Sequence, residues 1–210
     1  MSAFLGKIHY WLYNKIQLQE KLISDVTMFA KSKGNKIEID AIIDNSTRKY
    51  GQPVTGELEN QIDHSNIHGW LQGKINSVEF RLAYVITEIL KRNLLKKEDI
   101  ATVFKENAVL VVRESGINTN NPKELFNLIF DNILEGMPCD RVNEIIVDTD
   151  NFISWKTSIC LHKDYWDEAS GDIENYYDLR SAWINGFLSE SKSSFVYERT
   201  KDAVSTIKRV

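Results

Sequence analysis

Nine residues near the amino end, Ile8-His9-Tyr10-Trp11-Leu12-Tyr13-Asn14-Lys15-Ile16, return as Ile67-His68-Gly69-Trp70-Leu71-Gln72-Gly73-Lys74-Ile75. Six of the nine positions agree without a gap, and carrying the register further sets Glu20 opposite Glu79. The shared pattern I-H-x-W-L-x-x-K-I-x-x-x-E uses two of the four histidines and two of the five tryptophans in the chain, so coincidence is a poor explanation. A repeated helical segment restricts the fold sharply: two related units are expected to pack about an approximate twofold axis.

On a helix, positions i, i+3, i+7 and i+11 share one narrow stripe. His9, Leu12, Ile16 and Glu20 have that spacing, as do His68, Leu71, Ile75 and Glu79. Within one helix the His and the Glu lie roughly 16 Å apart at 1.5 Å per residue, so neither pair can share a small ligand. Partners must come from the other copy. If the copies pack antiparallel, His9 approaches Glu79 and His68 approaches Glu20. His64 precedes His68 by one helical turn, which would let two imidazoles converge on a divalent metal, zinc or iron, with Glu20 as third ligand and a fourth position open. The competing structural explanation is a buried imidazole–carboxylate pair that satisfies interior polar groups. Gly69 and Gly73 are expected to admit another backbone closely.

The first 118 residues read as a bundle of duplicated helical hairpins, with helices over 4–33, 37–50, 64–90 and 96–114. Gly116 and the polar run ending in Pro122 mark a boundary, and Pro122 starts a further helix. Beyond it, 142–147 and 152–160 are rich in β-branched and aromatic residues around an Asp148-Thr149-Asp150-Asn151 turn. A helix over 176–188 and a strand over 194–200 complete residues 119–210. The expected class is α+β, mainly α, with a small antiparallel sheet after the bundle, in two regions or packed as one domain.

Cys160 and His162, two apart at a strand end, would share a face where a nucleophile and its base could sit, with Trp155 and Trp166 shaping a pocket. The bland alternative is a buried thiol beside a surface imidazole. The succession of Cys160, Trp166, Gly171, the helix Tyr176-Tyr177-Asp178-Leu179-Arg180 through Gly186-Phe187, and the strand Phe195-Val196-Tyr197 resembles the L-2-amino-thiazoline-4-carboxylic acid hydrolase-like family over the last third of the chain. That resemblance implies ring-opening hydrolysis. The cysteines that family also carries in the helix and the last strand have no counterpart after Cys160.

Composition narrows the partners. A formal charge of -4, from 26 basic and 30 acidic residues, gives no basic surface for phosphate backbones, so nucleic acid is not expected. No apolar run reaches the roughly 20 residues a bilayer requires, and residues 1–13 lack a signal-peptide pattern. A cytoplasmic protein with two reduced cysteines is expected. Three functional classes follow: a metal- or small-ligand-binding bundle, as a metal-dependent hydrolase using His9, Glu20, His64, His68 and Glu79; a cysteine-centred hydrolase of a small molecule using Cys160 and His162; and a non-catalytic module that binds a partner or a second copy of itself.

Overall fold

The computed structural model describes residues 5–116, 118–192 and 194–210; the helix start expected at Phe4 lies outside them. Among these residues the elements run α1 (Lys7–Ser32), α2 (Lys36–Tyr50), α3 (Leu58–Gln61), α4 (Ile67–Lys91), α5 (Lys97–Ser115) and α6 (Pro122–Asn132). They continue as β1 (Asn143–Asp148), β2 (Phe152–Thr157), α7 (Lys163–Glu168), α8 (Ile173–Leu188), β3 (Phe195–Arg199) and β4 (Val204–Arg209). The class is α+β and mainly α, as the sequence predicts. No helix among the described residues is long and apolar enough to cross a membrane.

Contacts group the chain into two compact units. Unit 1 comprises Met1–Leu95, Asp131–Pro138 and His162–Ile173, and unit 2 comprises Lys96–Phe130, Cys139–Leu161 and Glu174–Val210. These bounds differ from the division expected at residue 118. Helix α5, second arm of the second hairpin, groups with the sheet, and two later segments group with the first helices.

In unit 1, α1 turns at Gly34, whose φ of 97° suits glycine, and α2 runs back. The Asn35 amide at the start of α2 donates to the Leu94 carbonyl just beyond α4, at 2.8 Å. At the other end of α2, a Cβ on Gly51 would lie 3.3 Å from Ser77 in mid-α4. So α2 and α4 are antiparallel, and α1 and α4 are parallel. The antiparallel pairing of α1 and α4 expected from the repeat is therefore corrected. One full-length helix lies between the copies and α3 is a single turn, so the chain is back at its starting end when α4 begins. The apolar repeat positions Leu12, Ile16, Leu71 and Ile75 are all buried.

Helix α4 starts later than expected. Asp63 Oδ1 accepts from the backbone N–H of Ser65 at 2.8 Å, an Asx turn. Asn66 then caps the helix by accepting from the Gly69 N–H at 3.1 Å. His64 thus precedes the helix, and its one-turn spacing to His68 does not hold. The close backbone approach expected at the repeat glycines is absent too: a Cβ at Gly73 would meet nothing within 4 Å, and one at Gly69 would meet its own Asn66 cap.

In unit 2 the strands are ordered β1-β2-β4-β3, every neighbouring pair antiparallel. The fourth strand extends the sheet beyond the sequence expectation. Phe195 and Tyr197 of β3, and Ser205 and Ile207 of β4, are buried at alternating positions, the pattern of a half-covered sheet, while Ile153, Ser154 and Trp155 of the inner strand β2 are all buried. Phe126 and Phe130 of α6 lie edge-on to Trp155, at 4.9 Å and 5.7 Å between ring centroids. Helix α8 approaches α5 through Gly186, where a Cβ would fall 2.6 Å from the Lys105 carbonyl oxygen. Beside this contact, Trp183 Nε1 donates to Asn107 Oδ1 at 3.0 Å.

Candidate functional site

The repeat residues in unit 1 have identifiable jobs. Lys15 Nζ sits 3.4 Å from the Trp11 ring centroid and Lys74 Nζ 5.3 Å from that of Trp70. The W-x-x-x-K spacing is thus a cation–π pair one helical turn long, written once in each copy. The two histidines meet each other: His9 Nε2 lies 3.3 Å from His68 Nε2. His9 Nδ1 accepts from the Gly6 N–H at 3.0 Å, where it caps the start of α1. That bond leaves the neutral ring's proton on Nε2, which donates to His68. His64 is exposed, with Nε2 3.3 Å from the Glu59 carbonyl.

The two repeat glutamates are buried or nearly so, but neither meets a repeat histidine. Glu20 is held by Arg81. Glu79 Oε2 lies 3.2 Å from Nδ1 of His162, and Nε2 of the same ring lies 3.4 Å from Glu135 Oε1. The imidazole is therefore clamped between two carboxylates on opposite edges, with 3% of its side chain exposed. Burial by itself disfavours the charged ring. The Glu79 charge and the hydrogen bonds to Glu135 and Glu79 outweigh it and push the His162 pKa up to about 9. His162 is an imidazolium at neutral pH. Glu79 Oε1 is buried with no hydrogen-bond partner among the described residues.

This arrangement changes the reading of Cys160 and His162. Strand β2 ends at Thr157, so the shared strand face does not exist; His162 is the residue preceding α7 and its two nitrogens serve the carboxylates. Trp166 is buried in unit 1, against the position where Gly171 would carry a Cβ. Trp155 belongs to the aromatic core under the sheet of unit 2. Cys160 is half-buried, and its thiol lies close enough to the Tyr177 hydroxyl of α8 to influence its titration.

Tyr177 opens onto a cavity of about 540 Å³ in unit 2, lined by Glu174, Tyr177, Asp178 and Ser181 of α8 and by Arg199, Thr200 and Lys201 where β3 ends. The Arg199 guanidinium stacks on the Tyr177 ring, 3.5 Å from its centroid. Asp178 is paired with Lys97 at 2.5 Å. Burial, followed by the neighbouring Cys160 thiol, pushes the Tyr177 pKa up, so its hydroxyl keeps its proton. Ser181 Oγ donates to the Tyr177 carbonyl at 2.7 Å, one turn back along α8.

Sequence reasoning missed Arg81, Glu135, Tyr177 and Arg199 as site residues. Arg81 carried a signal, since it lies three after Val78 and four before Val85 on the buried stripe of α4. Glu135 carried none, because it follows α6 in a loop. Among the described residues no group of three or more His, Cys, Asp or Glu side chains is placed to hold a metal ion. Comparisons with protein-family models, with curated proteins and with solved structures find no match, and so do not bear on the family resemblance of the last third of the chain.

Proposed function

We propose that the protein binds a small organic molecule in the unit 2 cavity, against Tyr177 and Arg199. The observation that carries this reading is the cavity itself: about 540 Å³ falls within the range of roughly 300–1,000 Å³ typical of small-molecule sites. Its wall combines an aromatic face, hydroxyls and charges of both signs, which is what orients a polar ligand rather than merely accommodating one. The test is a fragment screen read by amide chemical-shift changes. Perturbations should gather on residues 174–181 and 199–201, and Thr200→Trp, at an exposed position on the wall, should abolish them. Hits that scatter over the surface, or that survive Thr200→Trp, would remove the proposal.

A second reading rests on a specific contact. The Cys160 thiol lies close enough to the Tyr177 hydroxyl on the cavity wall to help raise that hydroxyl's pKa. In a cysteine-centred hydrolase at this cavity the Tyr177 hydroxyl, which keeps its own proton, would stabilise the thiolate as a hydrogen-bond donor in place of His162, the thiol proton passing to solvent. Cys160 should then react with iodoacetamide at a rate different from the exposed Cys139, and Tyr177→Phe should change that rate. A Cys160 rate indifferent to Tyr177→Phe would sink this second reading and leave the first intact.

A further inference from the structure

Resting on the cavity reading, we infer that its ligand carries an anionic group, a carboxylate or a phosphate, received by Arg199 with Lys201 in support. Arginine is the side chain best shaped for this task, because its planar fork matches both anions bidentately. Here the fork is already oriented. Stacking at 3.5 Å on the Tyr177 ring fixes the guanidinium plane and leaves the N–H groups at its edge available in that plane.

No carboxylate answers Arg199 among the described residues, whereas other cations of unit 2 find acids: Lys97 takes Asp178, Arg113 takes Glu190 and Lys208 takes Glu198. Lys201, in the turn after β3, likewise has no ion pair among the described residues and lines the same cavity. Of the two carboxylates on the wall, Asp178 is paired with Lys97 and Glu174 has a partner of its own, whereas Arg199 and Lys201 have no ion pair among the described residues. The Tyr177 hydroxyl, protonated, adds no negative charge.

An arginine exposed to water on every side would need no ligand. Arg199 is only half-exposed, so part of its hydration has been replaced by the tyrosine face, and an entering anion restores charge-assisted hydrogen bonds at a smaller desolvation cost. Carboxylate and phosphate share this chemistry. They differ in charge and in the number of acceptor oxygens, which a pair of probes can separate.

The experiment is calorimetric titration of the full chain with benzoate, phenyl phosphate and benzyl alcohol, probes of similar body and different head group. Both anions should bind more tightly than the alcohol, weaken as salt is raised, and weaken about tenfold in Arg199→Gln, as loss of a charge-assisted bond implies. The tighter of the two anions names the source. Arg199→Lys keeps the charge without the fork and should fall between wild type and Arg199→Gln; it decides the matter should the glutamine variant fail to fold. If benzyl alcohol binds as tightly as the anions, in a manner blocked by Thr200→Trp, the anion inference is wrong while the cavity reading stands. If none of the three probes binds, the inference fails; the fragment screen with Thr200→Trp then judges the cavity reading separately.

Discussion

The His162 clamp makes a quantitative demand on unit 1. The ring's pKa stands at about 9 in the folded chain against 6.5 for an ordinary histidine. A folded-state pKa raised in this way means that the native protein holds a proton the unfolded chain would release. The stabilisation is complete below about pH 6.5, where both states are protonated, and it disappears as pH rises through about 9. Its ceiling is about 3 kcal/mol, at about 1.4 kcal/mol per pH unit of difference. The ring is fully buried, so no large discount for solvent screening applies. For a chain of this size that corresponds to a fall in midpoint of roughly 6–12 °C on going from neutral to strongly alkaline buffer. The assay is two-fold. Nitrogen-15 spectra of the imidazoles should show one ring titrating near 9, absent in His162→Gln. Urea unfolding followed by tryptophan fluorescence should lose stability across the same interval, and the variant should lack that decline. At neutral pH the variant should already be weaker by about 3–5 kcal/mol, because buried Glu79 loses the imidazolium it is paired with. A ring that titrates at or below 6.5, or a wild-type stability flat across the interval, would refute the reasoning.

Two further outcomes follow from packing. Arg81→Met should strand Glu20 and cost about 3–5 kcal/mol in urea unfolding, while adding Glu20→Leu should recover most of that loss, because the pair gains little over well-packed apolar residues. Gly186→Ala should destabilise unit 2 by about 1–3 kcal/mol, since its Cβ would meet the Lys105 backbone, which has no rotamer to yield. Gly73→Ala, with open space around it in mid-α4, should instead stabilise by about 0.5–1 kcal/mol, and differential scanning calorimetry of the two alanine variants checks both signs.

Much of the fold was legible because it is periodic. The repeat located α1 and α4, and its apolar members Leu12, Ile16, Leu71 and Ile75 proved to be core. Gly116, left-handed at φ 64°, closes α5, and Pro122 opens α6, each as residue type alone requires. The pairing of the copies was misjudged for a topological reason: the single helix between them imposes parallel packing, which brings His9 to His68 and takes both glutamates elsewhere. The partners that replaced the histidines come from Arg81 in the same helix as Glu79, and from Glu135 and His162, separated from Glu79 by more than fifty residues. No spacing rule reaches that far. The cavity was illegible for a related reason, because it joins one face of α8 to the end of β3, and neither segment carries a motif.

The same topology explains why two copies of one segment have unlike surroundings. Equivalent positions in parallel helices face the shared axis together, so Glu20 and Glu79 are both drawn inward and each must be neutralised, since a carboxylate left unpaired in a protein interior costs several kcal/mol. One helix can supply only so many inward cations: Arg81 sits two residues from Glu79 and reaches across to Glu20 rather than to its own neighbour. Glu79 is left to a group from outside the repeat, and the segment His162–Ile173 provides His162. Arginine cannot give up its proton at any ordinary pH, whereas histidine can. The copy served by Arg81 is therefore fixed in charge, and the copy served by His162 holds its charge only while the ring keeps its proton, so raising the pH removes the cation at Glu79 and leaves the one at Glu20 in place.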